Sequence, residues 1–285
     1  MTTTHRPAVH VDAMHTHIRS GLPLMAWPAF DGLGVDAYVT TRSGGTSAGP
    51  FASLNLALHV GDDAGAVLAN RARVAAALDA DLSDFVFCEQ VHRPTVHVVT
   101  RADRGRGARS RADAVTGTDA LVTTAPGVIL VVMVADCVPL VLLDPVRRVL
   151  ACVHAGWAGT VQGVTTAAVN AMRRLGANPA DVVAGIGPSI SPDRYQVGDD
   201  VADAARAAFG DRAGEVLRPD GTGRWTFDLW RANTLQLLAA GVPDDAIHVA
   251  ALDTGQRTGL FSHREGTPTG RFAAVARLRA PGGAR

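Results

Sequence analysis

The chain has 285 residues, 47% of them apolar and 19% charged, and its 27 acidic and 27 basic side chains cancel. That is one large domain or two small ones with ample core material. It lacks both the low hydrophobicity of a disordered chain and the basic excess of a general nucleic-acid binder. All 27 basic residues are arginine and the glutamates are Glu89, Glu215 and Glu265 alone, which excludes lysine Schiff bases, lysine-bound pyridoxal phosphate and a Walker-type lysine. Chemistry falls to Cys, His, Asp, Arg, hydroxyls or a metal.

Residues 1–30 read as a flexible extension carrying His5, His10, His15 and His17, either a mobile terminus or an adventitious metal tract. They hold no apolar stretch of the secretory kind. Cys88, Cys137 and Cys152 are odd in number and widely spaced, which fits a reducing compartment and points to the cytoplasm. Residues 31–280 read as one domain. A strand is expected over 35–41, running into Arg42-Ser43-Gly44-Gly45, and an amphipathic helix over 64–80. Short strands at 85–91 and 95–100 flank His92-Arg93-Pro94. The segment after residue 100 packs five arginines into eleven residues, as an anion-binding arm or a solvated loop.

Residues 128–143 are the most apolar stretch. A membrane span needs about 20 uninterrupted apolar residues, and Asp136 and Pro139 interrupt this one, so two buried strands, 128–135 and 138–143, are expected. A strand at 149–154, a helix over 160–175, a strand at 182–186, helices near 198–209 and 228–240, and strands near 247–252 and 272–278 complete the chain. Hairpins mixed with helices predict one α/β (α+β) domain with mixed sheets.

The chemistry concentrates in residues 135–159. With Pro145-Val146 as the central turn residues, the hairpin register sets Cys137 directly across from His154, on one face of the sheet. A slip of one residue would separate them. Two chemistries use such a pair: a Cys–His nucleophile, or two ligands of a metal whose catalytic form wants a third protein ligand and one open position. His92, at the tip of a strand, is the third candidate, with a plain surface histidine as the alternative. Cys88 and Cys152 sit in apolar strands and read as core; His97 reads as structural. Gly156 and Gly159 before a helix, and the turn beside Arg42, could hold a phosphate-like anion. Asp136 could act as a general acid/base or orient a histidine.

Gln90-Val91-His92, Ala135-Asp136-Cys137 and His154-Ala155-Gly156-Trp157 occur together in the order and spacing of the YfiH/laccase-domain family, which the chain resembles over about residues 35–278. Thr40-Thr41-Arg42, Ser53-Leu54-Asn55-Leu56, Gly61-Asp62-Asp63, Gly185-Ile186-Gly187-Pro188 and Phe261-Ser262-His263-Arg264 extend the match. The resemblance implies a four-layer α/β/β/α domain and a metal, usually zinc with copper possible, on His92, Cys137 and His154. It also implies phosphorolysis of adenosine, inosine and methylthioadenosine, with adenosine deamination alongside. Cys137, His154 and Asp136 are then the catalytic positions, and Arg42, Asn55 and Gly156 the substrate or phosphate positions. The expected partners are a nucleoside and phosphate, with no nucleic acid and no membrane, in a monomer or weak homodimer. Members have also been named peptidoglycan editing factors and copper polyphenol oxidases, and a copper-dependent, laccase-like polyphenol oxidase is an alternative activity, although ten histidines, four of them in the extension, leave too few for a trinuclear copper cluster. A Cys–His hydrolase of cell-wall precursors and a non-enzymatic metal-dependent binding protein are the rival readings. Three departures bear on substrate preference: Ala158 where an arginine is usual, Gln196 for a glutamate, and Leu252-Asp253-Thr254-Gly255-Gln256 for a cysteine-containing segment. If the family's usual arginine, replaced here by Ala158, helps hold an anion, phosphate binding is weakened or is taken over by Arg42 or another arginine.

Overall fold

The β-branched runs become the centres of two sheets in the computed structural model, which describes residues 11–255 and 258–280. In chain order, β1 (His15–Arg19), β2 (Leu22–Ala26) and β3 (Val35–Thr40) precede the helix α1 (Ala64–Ala77). Then come β4 (Phe85–Phe87), β5 (Val96–Val99), β6 (Ala120–Thr123), β7 (Ile129–Val134), β8 (Val138–Asp144) and β9 (Val149–Ala155). The helices α2 (Trp157–Val161) and α3 (Val164–Arg174) lead to β10 (Val183–Ile186) and β11 (Gln196–Gly198). The last part holds α4 (Asp199–Phe209), α5 (Ala213–Val216), β12 (Leu217–Pro219), β13 (Arg224–Phe227), α6 (Leu229–Ala239), β14 (Ile247–Val249) and β15 (Phe272–Leu278).

One sheet runs β1-β2-β3-β15-β7-β4 and the other β14-β10-β8-β9-β6-β5, each mixing parallel and antiparallel pairs. This is the mixed α/β class expected from the sequence. Successive strand residues face opposite ways, so β8 and β9 serve two cores. Leu140, Leu142, Ala151 and Val153 pack with α3 and α6, while Val141, Leu143, Leu150 and Cys152 meet Leu130, Val132 and Ala274 of the first sheet. The helix α1 covers that sheet's other face, with Val74 and Ala77 against Phe85, Ile129 and Val275. Asp63 caps it by accepting from Ala66 N at 2.7 Å. Each of these side chains is fully or nearly fully buried, which contributes roughly 1.5–3 kcal/mol for a Val, Leu or Ile.

Four features of the structure correct or add to the expectations from sequence. The described part of the extension is structured: Val11 bridges Val249, and β1 and β2 form a hairpin paired to β3, because Leu22, Leu24, Met25 and Ala26 have a sheet face to bury and Trp27 is fully buried. Trp27 fits because a Cβ at Gly185 would lie 2.8 Å from its ring, which gives that motif glycine a packing role. His15 and His17 lie on the exposed β1; His5 and His10 fall outside the described residues. Secondly, the two apolar strands exist but belong to different sheets, the chain crossing between them at Ala135-Asp136-Cys137. Thirdly, the helix expected over 160–175 is broken at Gly163, whose φ is +84°. Lastly, the structure adds a small β11-β13-β12 sheet, whose strands of three or four residues are too short for a periodic pattern to stand out in the sequence. Among the described residues no helix is long and apolar enough to cross a membrane.

Candidate metal centre

Cys137 is placed by the crossing between sheets. Asp136 takes a left-handed backbone (φ +87°), uncommon for a non-glycine residue. Its carboxylate accepts from Thr254 Oγ1 at 2.5 Å and Arg264 N at 2.7 Å, and its carbonyl from Ile190 N at 3.0 Å. The expected hairpin register is off by two. Pro139, not Cys137, faces His154, because the Asp144 carboxylate accepts from Val146 N and Arg147 N and folds a four-residue loop in place of a two-residue turn. A shift of two keeps every side chain on its face, so Cys137 and His154 still share the face that looks between the sheets. Gly156 comes opposite Cys137; a Cβ there would lie 2.6 Å from His92 Cδ2 and 2.9 Å from Cys137 Sγ. Its place in the site is therefore steric clearance for two ligands.

His92 is held by two devices. The Gln90 side chain pairs with the Met133 backbone in both directions (2.7 and 2.8 Å), extending the β4–β7 pairing toward His92. The left-handed turn at His92 (φ +59°) aims three successive backbone N–H groups, Val91, His92 and Arg93, at the carboxylate of Asp119 at 2.9–3.2 Å. The same carboxylate accepts from His154 Nδ1 at 2.7 Å. A single fully buried acid therefore fixes two of the three ligands and turns His154 Nε2 toward Cys137. Of the two roles the sequence offers Asp136, general acid/base or orienting a histidine, the orienting one belongs to Asp119 in the structure. The available signal was an acid standing directly before the apolar run of β6.

The donor atoms of His92, Cys137 and His154 all lie within 4.8 Å of one another, with Cys137 Sγ 3.8 Å from His92 Nε2. Two imidazoles and a thiolate at this spacing suit a borderline-soft ion such as zinc or copper, and three protein ligands leave one position open. The residues therefore fit a metal. Burial opposes ionisation of Cys137, but the charge of His154 and hydrogen bonds from both histidines outweigh it and lower the thiol to about 6. Burial likewise opposes charge on His154, yet Cys137 and Asp119 raise it to about 9. Between those values the coupled pair holds one proton, as thiolate and imidazolium. A metal needs thiolate and neutral imidazole, so binding zinc at pH 7.5 would release one proton from the pair to solvent. Apparent zinc affinity should then rise about tenfold per pH unit between 6.5 and 8.5. Calorimetry in buffers of different ionisation enthalpy measures this; an affinity flat across that window would contradict the assigned charge states. Cys88 and Cys152, by contrast, are buried thiols pushed well up, as core residues should be.

The trio opens into a cavity of about 420 Å³, lined also by Asp136, Trp157, Ile190, Tyr195 and several arginines. Two expected substrate residues are elsewhere. Arg42 donates to Ala52 O at 2.8 Å, lies 4.7 Å over the Phe261 ring and borders a separate, smaller pocket. Asn55 is fully buried, bonded to Asp62 and Ala57, and accepts from Arg271 N at 2.8 Å. Both brace loops because their backbone neighbours need partners, and neither lines the cavity. The arginine-rich segment is pinned down by acids: Arg104 pairs with Asp84, Arg106 with Asp103 at 3.1 Å and Arg111 with Glu89 at 3.2 Å. Of these three, Arg111 lines the cavity.

Two sheets that meet around a His–Cys–His group steadied by a buried carboxylate define a metal-competent α/β protein. A family model described as multi-copper polyphenol oxidoreductase laccase matches residues 36–279, and the chain belongs to that family. It is 42% identical over 261 residues to purine nucleoside phosphorylase YlmD of Geobacillus stearothermophilus, covering 90% of this chain and 92% of that protein. Adenosine deaminase RL5, from an unknown prokaryotic organism, is 38% identical over 247 residues, covering 86% of this chain and 94% of its own. The crystal structure of the hypothetical protein YfiH from Bacillus licheniformis superposes with a TM-score of 0.86 at 37% identity, covering 90% of this chain and 96% of that one. Its relatives are thus named as enzymes of purine nucleosides.

Proposed function

We propose that this chain is a zinc-dependent purine nucleoside phosphorylase, splitting adenosine, inosine and methylthioadenosine with phosphate, and that the same site deaminates adenosine. The observation that carries this reading is that one buried carboxylate, Asp119, fixes two ligands of a metal-competent trio at the wall of a cavity sized for a nucleoside; small-molecule sites run about 300–1,000 Å³ and this one is about 420 Å³. The relatives' names supply the substrate class. When bound, zinc would supply a Lewis acid for an oxygen of phosphate or water.

The chain's own residues do the rest. Phosphorolysis forms a C1′–O bond to phosphate and breaks the C1′–N9 bond; the electron pair leaves on the purine, which takes a proton. Deamination adds water at C6 and releases ammonia. Asp136 would hold or pass that proton; its burial at the cavity wall, with its carboxylate accepting from Thr254 and Arg264, supports this role. Trp157, Ile190 and Tyr195 give the purine apolar surface. Chromatography of inosine and adenosine incubated with zinc-loaded protein tests the reading. Hypoxanthine or adenine should appear with an equal amount of ribose 1-phosphate only when phosphate is present, and Asp136→Asn should slow this about a hundredfold. Absence of base release from every nucleoside would overturn it.

One observation favours a second reading. Asp119, His154 and Cys137 are also arranged as the acid, base and nucleophile of a cysteine hydrolase. That reading requires activity that survives chelation and stops when iodoacetamide alkylates Cys137.

A further inference from the structure

The wall of the cavity carries positive charge that the protein leaves unmatched. Four guanidinium groups line it, Arg71, Arg111, Arg264 and Arg271, against the carboxylates of Glu89 and Asp136. Arg71 is only 3% exposed, and all its partners are neutral. It donates to Leu56 O, Gly107 O and Ala108 O at 2.6–2.9 Å, and its remaining nitrogen reaches the Met133 sulfur at 3.9 Å. Its guanidinium also lies 3.8 Å over the Phe87 ring. Arg271 likewise donates only to carbonyls, Thr269 O at 3.0 Å and Gly270 O at 2.9 Å. Among the described residues Arg111 is the one of the four whose guanidinium pairs with an acid, Glu89 at 3.2 Å.

Buried cations are costly unless something pairs with them. Here the cavity is lined by four arginines and two carboxylate residues. His59 sits among them on the same wall. Burial and the charges of Arg271, Arg111 and Arg71 lower it to about 4, so at neutral pH it is an uncharged donor or acceptor. The negative charges of Cys137 and Asp136 act on Arg271 in turn, which puts this wall within electrostatic reach of the trio.

We propose that Arg71, Arg271 and Arg111, with His59, form the subsite for a tetrahedral phosphate dianion in this cavity. Two guanidiniums with no carboxylate partner among the described residues, Arg71 and Arg271, match its two charges. The subsite fills the role that Ala158 cannot, and it does so without Arg42, which lies in another pocket. The dianion's place as co-substrate rests on the phosphorolysis reading; its binding does not.

Equilibrium dialysis of radiolabelled inorganic phosphate against the full chain, metal-loaded and metal-stripped, tests this directly. The stripped protein should bind phosphate within about threefold of the loaded one, because arginines and not the metal hold it. Arg271→Gln and Arg111→Gln should each weaken binding at least about tenfold, with zinc content unchanged. Arg111 is more than half exposed on a loop, so its variant reports on the subsite even if Arg271→Gln fails to fold. Displacement of the label by adenosine 5′-monophosphate would assign the subsite to an esterified phosphate, and lack of displacement to the free ion; both uphold it. Binding that disappears with the metal, or that neither substitution changes, would overturn it. Phosphate binding without turnover would leave the subsite standing and defeat the phosphorylase reading. Turnover with an unchanged phosphate KM in both variants would do the opposite.

Discussion

Cys137→Ala is expected to abolish zinc retention and to reduce nucleoside turnover to background, while the fold persists. The thiol lies just beyond the end of β8 and is only half buried, so its loss leaves the inter-sheet core intact. Its effect on the site is much larger. Removing a group that merely orients a ligand costs about 10–100-fold in metal affinity, and removing one of three ligands should cost more than that. The two remaining imidazoles would also lose the negative charge that raises His154. Zinc raises the Tm of a protein that binds it in the folded state only. Thermal melts should therefore show a zinc-dependent rise in the wild type and none in Cys137→Ala, with the metal-free melts nearly superimposed. A variant that keeps stoichiometric zinc and normal turnover would remove Cys137 from the centre.

The second large effect is expected at Asp119→Ala, where stability and metal binding fall together. Asp119 and His154 form a buried pair, fully and almost fully shielded from solvent. The carboxylate stays ionised because burial, which opposes it, is outweighed by hydrogen bonds from His154, Arg93 and His92. Deleting one partner of a buried pair costs about 3–5 kcal/mol, a Tm fall on the order of 10 °C. Three backbone N–H groups at the His92 turn lose their acceptor at the same time. The left-handed backbone there then keeps only the neighbouring Gln90–Met133 pairing of its two supports, and zinc affinity should fall by at least about 10–100-fold. Asp119→Asn keeps the shape and one acceptor oxygen, so it should recover more stability than metal affinity. Differential scanning calorimetry with competitive zinc titration measures both; a variant unchanged in either would contradict the role assigned to this acid.

The metal trio was legible in the sequence because three short motifs carry it, and because strand alternation tolerates an even error. The hairpin register was misjudged by two residues, and Cys137 still shares a face with His154. Asp119 was not legible. It follows an arginine-rich loop without periodicity, and its function exists only where the His92 turn and β9 converge on it from distant parts of the chain. Arg42 and Asn55 show the opposite failure: a motif preserves residues that brace loops as faithfully as those that touch ligands, and only their bonds to Ala52 and Asp62 tell the roles apart. The β1–β2 hairpin was obscured by its polar outer strand, although Leu22, Leu24 and Trp27 behind it are core residues. The phosphate wall combines Arg71 on α1 with Arg111 and Arg271 from two distant loops, a meeting that spacing along the chain does not encode.

The most direct test of a metal-dependent nucleoside site on His92, Cys137 and His154 is removal of the metal followed by its return. Protein dialysed against a strong chelator should release no base from inosine in phosphate buffer. One equivalent of zinc should restore the activity, and should protect Cys137 from iodoacetamide in the same proportion. Full activity in the chelated protein, lost on alkylation of Cys137, would contradict the account and make that thiol a nucleophile.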